Sequence, residues 1–134
     1  AEHRVPDNGG QTHGAMVAHF VHASAAGNLA VVGLVFKSGE ANPVIDRLWH
    51  PKLRREDRAF PVRVDVTDLL PDDLSFYFYR GSLTTPPCSQ GVRWHVLQSF
   101  GEVSQEQVDF FTDVFPLSTR DLQPLNGRTI SGSR

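Results

Sequence analysis

The sequence predicts a mainly β fold of the α+β kind: a central, twisted, mostly antiparallel sheet with short helices at its periphery. Three observations carry this expectation. Runs rich in Val and aromatic residues recur along the chain, clusters of Gly, Pro, Asn and Asp separate them, and helix-start signals are confined to two short segments. At 134 residues the chain fits one domain, and a chain of that size buries roughly 68% of its unfolded surface when it folds.

Taken in order, Val5 to Gly14 holds Pro6, Asp7, Asn8, Gly9 and Gly10, turn formers that make it a loop. Met16 to Ala23 and Asn28 to Phe36 are strand-like. Joined by Ala25-Ala26-Gly27-Asn28 they form a hairpin, whose almost wholly apolar second strand is buried on both faces. Asn42-Pro43 opens a short helix over Val44, Ile45 and Leu48, since Pro at a first turn forfeits no hydrogen bond. Lys52 to Arg58 is charged and solvated. Val62-Arg63-Val64-Asp65-Val66 alternates as a half-exposed strand does, and a turn follows around Leu70-Pro71-Asp72-Asp73. Ser75 to Tyr79 is an aromatic strand, and Gly81 to Gln90, with Pro86 and Pro87, is a loop. Gly91 to Leu97 is a strand with Val92, Trp94 and Val96 on one face and Arg93, His95 and Leu97 on the other. Ser104 caps a helix running through Phe110, Phe111 and Val114, with Gln107 completing a capping box. The tail from Leu122 to Arg128 is irregular.

Composition excludes several classes of function. Charged residues make up 21% and the formal net charge is −2, a balance that argues against nucleic acid or an anionic membrane as partner. No apolar run approaches the ~20 residues of a membrane span. The chain opens on Ala1-Glu2-His3 without an initiator Met, which reads as a mature, cut or partial product. Its single cysteine, Cys88, is either a small buried hydrophobe or half of a bridge to a partner elsewhere.

Two segments could carry chemistry. In Val17-Ala18-His19-Phe20-Val21-His22 the histidines are three apart, so a strand sends them to opposite faces: His19 joins Val17 and Val21, and His22 points away. The two cannot share one ion. In Gly81-Ser82-Leu83-Thr84-Thr85-Pro86-Pro87-Cys88, adjacent hydroxyls held by a diproline make a rigid presenting loop.

The second segment, continued by Val92-Arg93-Trp94, resembles the active-site loop and following strand of α-class carbonic anhydrases. Glu2-His3, Ala18-His19-Phe20-Val21-His22, Gly27-Asn28-Leu29-Ala30-Val31-Val32-Gly33 and Gln123-Pro124-Leu125-Asn126-Gly127-Arg128 match the same family in the same order. The likeness covers residues 1–134 but only about the second half of a typical family domain, so the expected fold is α-carbonic anhydrase-like and incomplete, a C-terminal portion. It implies a zinc lyase that reversibly hydrates carbon dioxide to bicarbonate. His19 corresponds to the third zinc ligand. Thr84 corresponds to the hydroxyl that accepts a hydrogen bond from the zinc-activated nucleophile, and Glu2 to the carboxylate that takes the threonine's own proton. A hydroxyl tied in that way has only a lone pair left for the nucleophile. Val21, Val31, Leu83, Val92 and Trp94 correspond to the apolar carbon dioxide pocket, with Thr85 at its polar edge. His3 and His22 match positions with structural hydrogen-bonding roles.

The pattern also breaks. The family's first two zinc histidines, on a His-x-His strand, have no counterpart here, and a catalytic zinc site needs three protein ligands. His13 fits no family position; His50 and His95 are equally unremarkable. Val17 stands where the family carries a glutamate that hydrogen-bonds the third zinc histidine, and Ser118 where asparagine is common. By resemblance to secreted bacterial members, Cys88 is half of a disulfide to the first half of the domain, and the location is periplasmic or secreted. The expectation is an enzyme by family that, as these residues alone, binds little or no zinc and has negligible activity, the missing half being its natural partner. The alternative is a non-catalytic carbonic-anhydrase-related binding module.

Overall fold

The structure, a computed structural model, describes residues 2–7, 10–49, 61–116 and 118–133. Its centre is a sheet built from two hairpins. The first pairs β3 (Met16–Ala23) with β4 (Leu29–Ser38), antiparallel and in register from Met16↔Phe36 to Ala23↔Leu29. Gly27, at φ 80°, makes the reversal between them possible, a backbone region closed to most side chains. The second hairpin pairs β5 (Phe76–Ser82) with β6 (Gln90–Leu97), its register slipping between Gly81 and Ser82 where the threonine loop begins. A parallel seam joins the hairpins, with Ala30, Val31, Val32 and Gly33 of β4 beside Arg93, Trp94, His95 and Val96 of β6. Two short strands complete the six: β7 (Gly101–Val103) beside β4, and β8 (Ser131–Gly132) beside β5.

The period-2 pattern gives this sheet two apolar faces. Leu34, Phe36 and Leu97 point to one, where Val44 and Ile45 of α1 (Pro43–Leu48), Val103, Leu69 and Val108 of α2 (Gln105–Val114) cover them. Val31, Val35, Val92, Trp94 and Val96 point to the other, covered by Val5, Tyr77, Tyr79 and Leu83. Both helices start as the sequence predicts. Asn42 accepts from the Val44 and Ile45 N–H groups, and Ser104 with Gln107 forms the full capping box. Gln107 is also buried at 6% exposure because it joins the helices, accepting from the Asn42 N–H at 2.9 Å and donating to the Asn42 carbonyl at 2.8 Å and to Asp46.

Three expectations change. The segment from Val5 to Gly14 is not one loop but contains an antiparallel pair, β1 (Arg4–Asp7) with β2 (Gly10–His13), so the turn formers bend a hairpin. His13 therefore lies on a strand, opposite Arg4. Val62 to Val66 forms no strand: Val64 alone packs inward, Val62 and Val66 stay exposed, and Asp65 caps a single 3-10 turn over Val66–Leu69. Alternation without a neighbouring strand to pair with does not make a ladder. The strand before the threonine loop runs through Ser82, three residues beyond its expected end. Lys52 to Arg58 and His50 lie outside the described residues.

Candidate functional site

The chain before β1 is pinned over the second apolar face, and that places Glu2 and His3. Val5 is 1% exposed within that face, and Lys37 of β4 pairs with Asp7 while its ammonium lies 4.0 Å from the Phe100 ring centroid. His3 is then buried above Gly33, which presents no side chain beneath it; a Cβ there would stand 3.7 Å from the His3 Nε2. Gly33 is the cross-strand partner of His19, so the two imidazoles meet, Nε2 to Nε2 at 3.1 Å. Trp94 packs against both rings, at 4.9 Å from His3 and 4.8 Å from His19.

The other nitrogen of His19, Nδ1, faces Glu2 at 3.8 Å, an ion-pair distance beyond hydrogen-bonding reach. Glu2, His19, Thr84 and Thr85 line a common cavity of about 260 Å³, with Val17 and Ser118 also on its wall. Burial lowers the His19 pKa, against the pull of the Glu2 carboxylate. His3 is pushed down to about 4, chiefly by burial and then by repulsion from a charged His19, so it is neutral near neutral pH. Burial drives the Tyr79 phenol up to about 12, the Arg128 guanidinium 5.7 Å from its ring opposing the shift.

The Thr84 hydroxyl makes no hydrogen bond to Glu2. Instead Glu2 Oε1 accepts from the Arg120 backbone N–H at 2.8 Å, and the Arg120 guanidinium donates to Ser82 Oγ at 3.3 Å and to the Leu83 carbonyl at 3.4 Å. Arg120 thus ties the tail, Glu2 and the threonine loop together, a role no spacing in the sequence signals. The apolar candidates form a row across the sheet: Val21 pairs with Val31, and Val31 lies beside Trp94. Val31, Val92 and Trp94 are buried together with Leu83 against them, whereas Val21 is 59% exposed and Thr85 is exposed. Trp94 is fixed by its indole N–H, which donates to the Ser82 carbonyl at 3.0 Å. Gly81 allows this approach, since a Cβ there would stand 3.1 Å from the indole. His22 is exposed, and its ring makes no hydrogen bond among the described residues. His95 packs between Phe76 and Phe78, and Cys88 is a partly buried free thiol.

A tetrahedral zinc site with three protein donors is not complete in this set. His19 offers one imidazole nitrogen to the cavity, and among the described residues no three His, Cys, Asp or Glu side chains converge. The residues fit one vertex of such a site and no more. No helix among the described residues is long and apolar enough to cross a membrane.

A mixed sheet thus gathers a histidine, a glutamate and a threonine-diproline loop around one cavity. The family model of eukaryotic-type carbonic anhydrase matches residues 15–134. A carbonic anhydrase from Pectobacterium carotovorum is 45% identical over 115 residues, covering 84% of this chain and 47% of the relative. Alpha carbonic anhydrase 3 of Arabidopsis thaliana is 40% identical, with 87% and 45% covered. Among solved structures, the α-carbonic anhydrase of Thermovibrio ammonificans in complex with sulfanilamide superposes with a TM-score of 0.77 at 43% identity, over 85% of this chain and 52% of that one. Dioscorin complexed with ascorbate superposes at 0.79 with 31% identity, over 87% and 52%. The chain belongs to the eukaryotic-type, or α-class, carbonic anhydrase family. It spans about half the length of the relatives it matches.

Proposed function

We propose that these residues are the C-terminal portion of a carbonic anhydrase domain that reversibly hydrates carbon dioxide to bicarbonate, and that alone they retain little zinc and have negligible hydratase activity. The observation that carries this reading is the convergence of His19, Glu2 and Thr84 on one cavity. In the completed domain His19 is one of the zinc donors, and the ion supplies Lewis-acid polarisation of water. This chain's residues do the rest. Glu2, held by the Arg120 N–H, sets the negative side of the cavity, and the Thr84 hydroxyl orients the nucleophile. The buried wall of Val31, Leu83, Val92 and Trp94, with Val21 at its open end and Thr85 at its polar edge, receives the apolar substrate. The first half of the domain is the partner that brings the remaining donors. The proposal includes a periplasmic or secreted location, supported by resemblance to secreted bacterial members, with Cys88 as half of a disulfide.

A second reading, a non-catalytic binding module of the same fold, is favoured by Val17, which leaves His19 without the family's carboxylate. One experiment separates them. Zinc content and stopped-flow hydration are measured for the chain alone and for the chain extended at its N-terminus by the first half of the Pectobacterium domain. The expected result is no stoichiometric zinc in the first, and one zinc per domain with hydration in the second. Stoichiometric zinc in the chain alone overturns the incomplete site, and a zinc-loaded but inert extended domain selects the binding module.

A further inference from the structure

We infer that His3 is the positioning residue for His19, replacing the carboxylate that Val17 does not provide. The inference rests on the reading of His19 as a metal donor through Nδ1, and it concerns what holds that ring.

A histidine that binds a metal through one nitrogen usually donates its other N–H to a fixed acceptor, which sets both tautomer and ring orientation. Val17, on the same face of β3 two residues before His19, offers no acceptor. The His19 Nε2 is nevertheless engaged, at 3.1 Å from the His3 Nε2. His3 is itself anchored, with its Nδ1 at 3.4 Å from the Tyr79 hydroxyl and its ring edge-on to His19 at 5.2 Å. It is 9% exposed and has little freedom to turn away.

Proton counting leaves two arrangements, because a neutral imidazole has one donor and one acceptor. In one, Tyr79 donates to His3, His3 donates to His19, and His19 carries its proton on Nδ1. That N–H then faces the Glu2 carboxylate at 3.8 Å, too far for a hydrogen bond. In the other, His19 donates from Nε2 to His3, and His3 donates from Nδ1 to the Tyr79 oxygen. Both arrangements make hydrogen bonds of the two close contacts, but only the second leaves the His19 Nδ1 lone pair free toward the cavity beside Glu2 and Thr84. A metal donor needs that lone pair, so the reading of His19 as a donor selects the second. His3 thus performs with a neutral ring what a carboxylate performs elsewhere in the family, and the pair Val17 and His3 is a working substitution.

The test reads the tautomer directly, by long-range ¹H–¹⁵N correlation of the histidine rings in the chain itself, in mildly alkaline buffer. Wild type is expected to show His19 as the Nε2–H form. His3→Phe is expected to turn that signature into a mixture of tautomers, and adding Val17→Glu to His3→Phe is expected to restore it. A wild-type His19 protonated on Nδ1, or a His3→Phe spectrum unchanged at His19, overturns the inference. Should His3→Phe fail to fold, His3→Glu carries the test: an ionised carboxylate only accepts, so His19 must stay Nε2–H, and a switch to Nδ1–H overturns the role. In the extended, zinc-loaded domain His3→Phe is expected to weaken zinc affinity about 10–100-fold. The spectra report on His3 and His19 whether or not the completed domain hydrates carbon dioxide, so the two readings fail separately.

Discussion

Replacing Trp94 by Phe tests whether one indole holds the buried wall behind His3 and His19 in place. The side chain is 2% exposed, stacks on Tyr79 at an interplanar angle of 6° and packs edge-on against His19. Phe preserves an aromatic ring but deletes the N–H that donates to the Ser82 carbonyl. Losing that hydrogen bond costs about 1 kcal/mol, and the void left by the missing second ring about 1–2 kcal/mol more. The sum, about 2–3 kcal/mol, lowers the folded-to-unfolded ratio roughly 30- to 150-fold. Urea melts followed by far-UV circular dichroism read this as a lower midpoint at unchanged slope. Trp49→Phe is the control, because Trp49 stacks on Phe110 and Phe111, packs against the apolar face opposite Trp94 and makes no hydrogen bond through its ring. A Trp94→Phe loss below about 0.5 kcal/mol, or one no larger than the control, would refute the account of the wall.

Two further outcomes are expected. Gln107→Ala removes the link between α1 and α2 as well as half of the capping box, so it is expected to destabilise by about 2–4 kcal/mol. Ser104→Ala, which removes the cap alone, is expected to cost about 1 kcal/mol, and equal losses in the two melts would contradict the bridging role. Tyr79 is expected to ionise near pH 12 when absorbance is followed during alkaline titration. Its folded pKa lies above the unfolded value of about 10, so the associated stability is whole below pH 10 and lost as pH rises toward 12, by at most about 1.4 kcal/mol per unit. Tyr79→Phe must abolish that part of the pH dependence, and a variant that loses stability in parallel with wild type assigns it to other groups.

Much of the scaffold was legible because local chemistry and tertiary environment agree. Asn42-Pro43 and Ser104 with Gln107 carry their caps in sequence, and the parity of Val92, Trp94 and Val96 sorts β6 onto its two faces. The β1–β2 pair was not legible because Pro6 and the glycines speak louder than four-residue strands, and β7 and β8 are too short to show any period. Val62 to Val66 carried the right pattern and no partner. For the site, the residues that meet were identifiable one by one, yet their pairing was not. That Glu2 accepts from Arg120 rather than from Thr84, and that His3 touches His19, depends on the segment before β1 and the tail after residue 117 arriving at the same place. No spacing along the chain records such an arrival.

The parallel seam between β4 and β6 has a consequence for how this chemistry tolerates change. His19 belongs to the first hairpin and the threonine loop to the second, and each hairpin closes over a short stretch of chain. Ala30 beside Arg93 is the first point at which the two halves of the cavity acquire a common frame. Substitutions along that line, remote from any reacting group, therefore alter the spacing between imidazole and hydroxyl while leaving both hairpins intact. The alignment of the site is the property of a border, owned by neither of the pieces it joins.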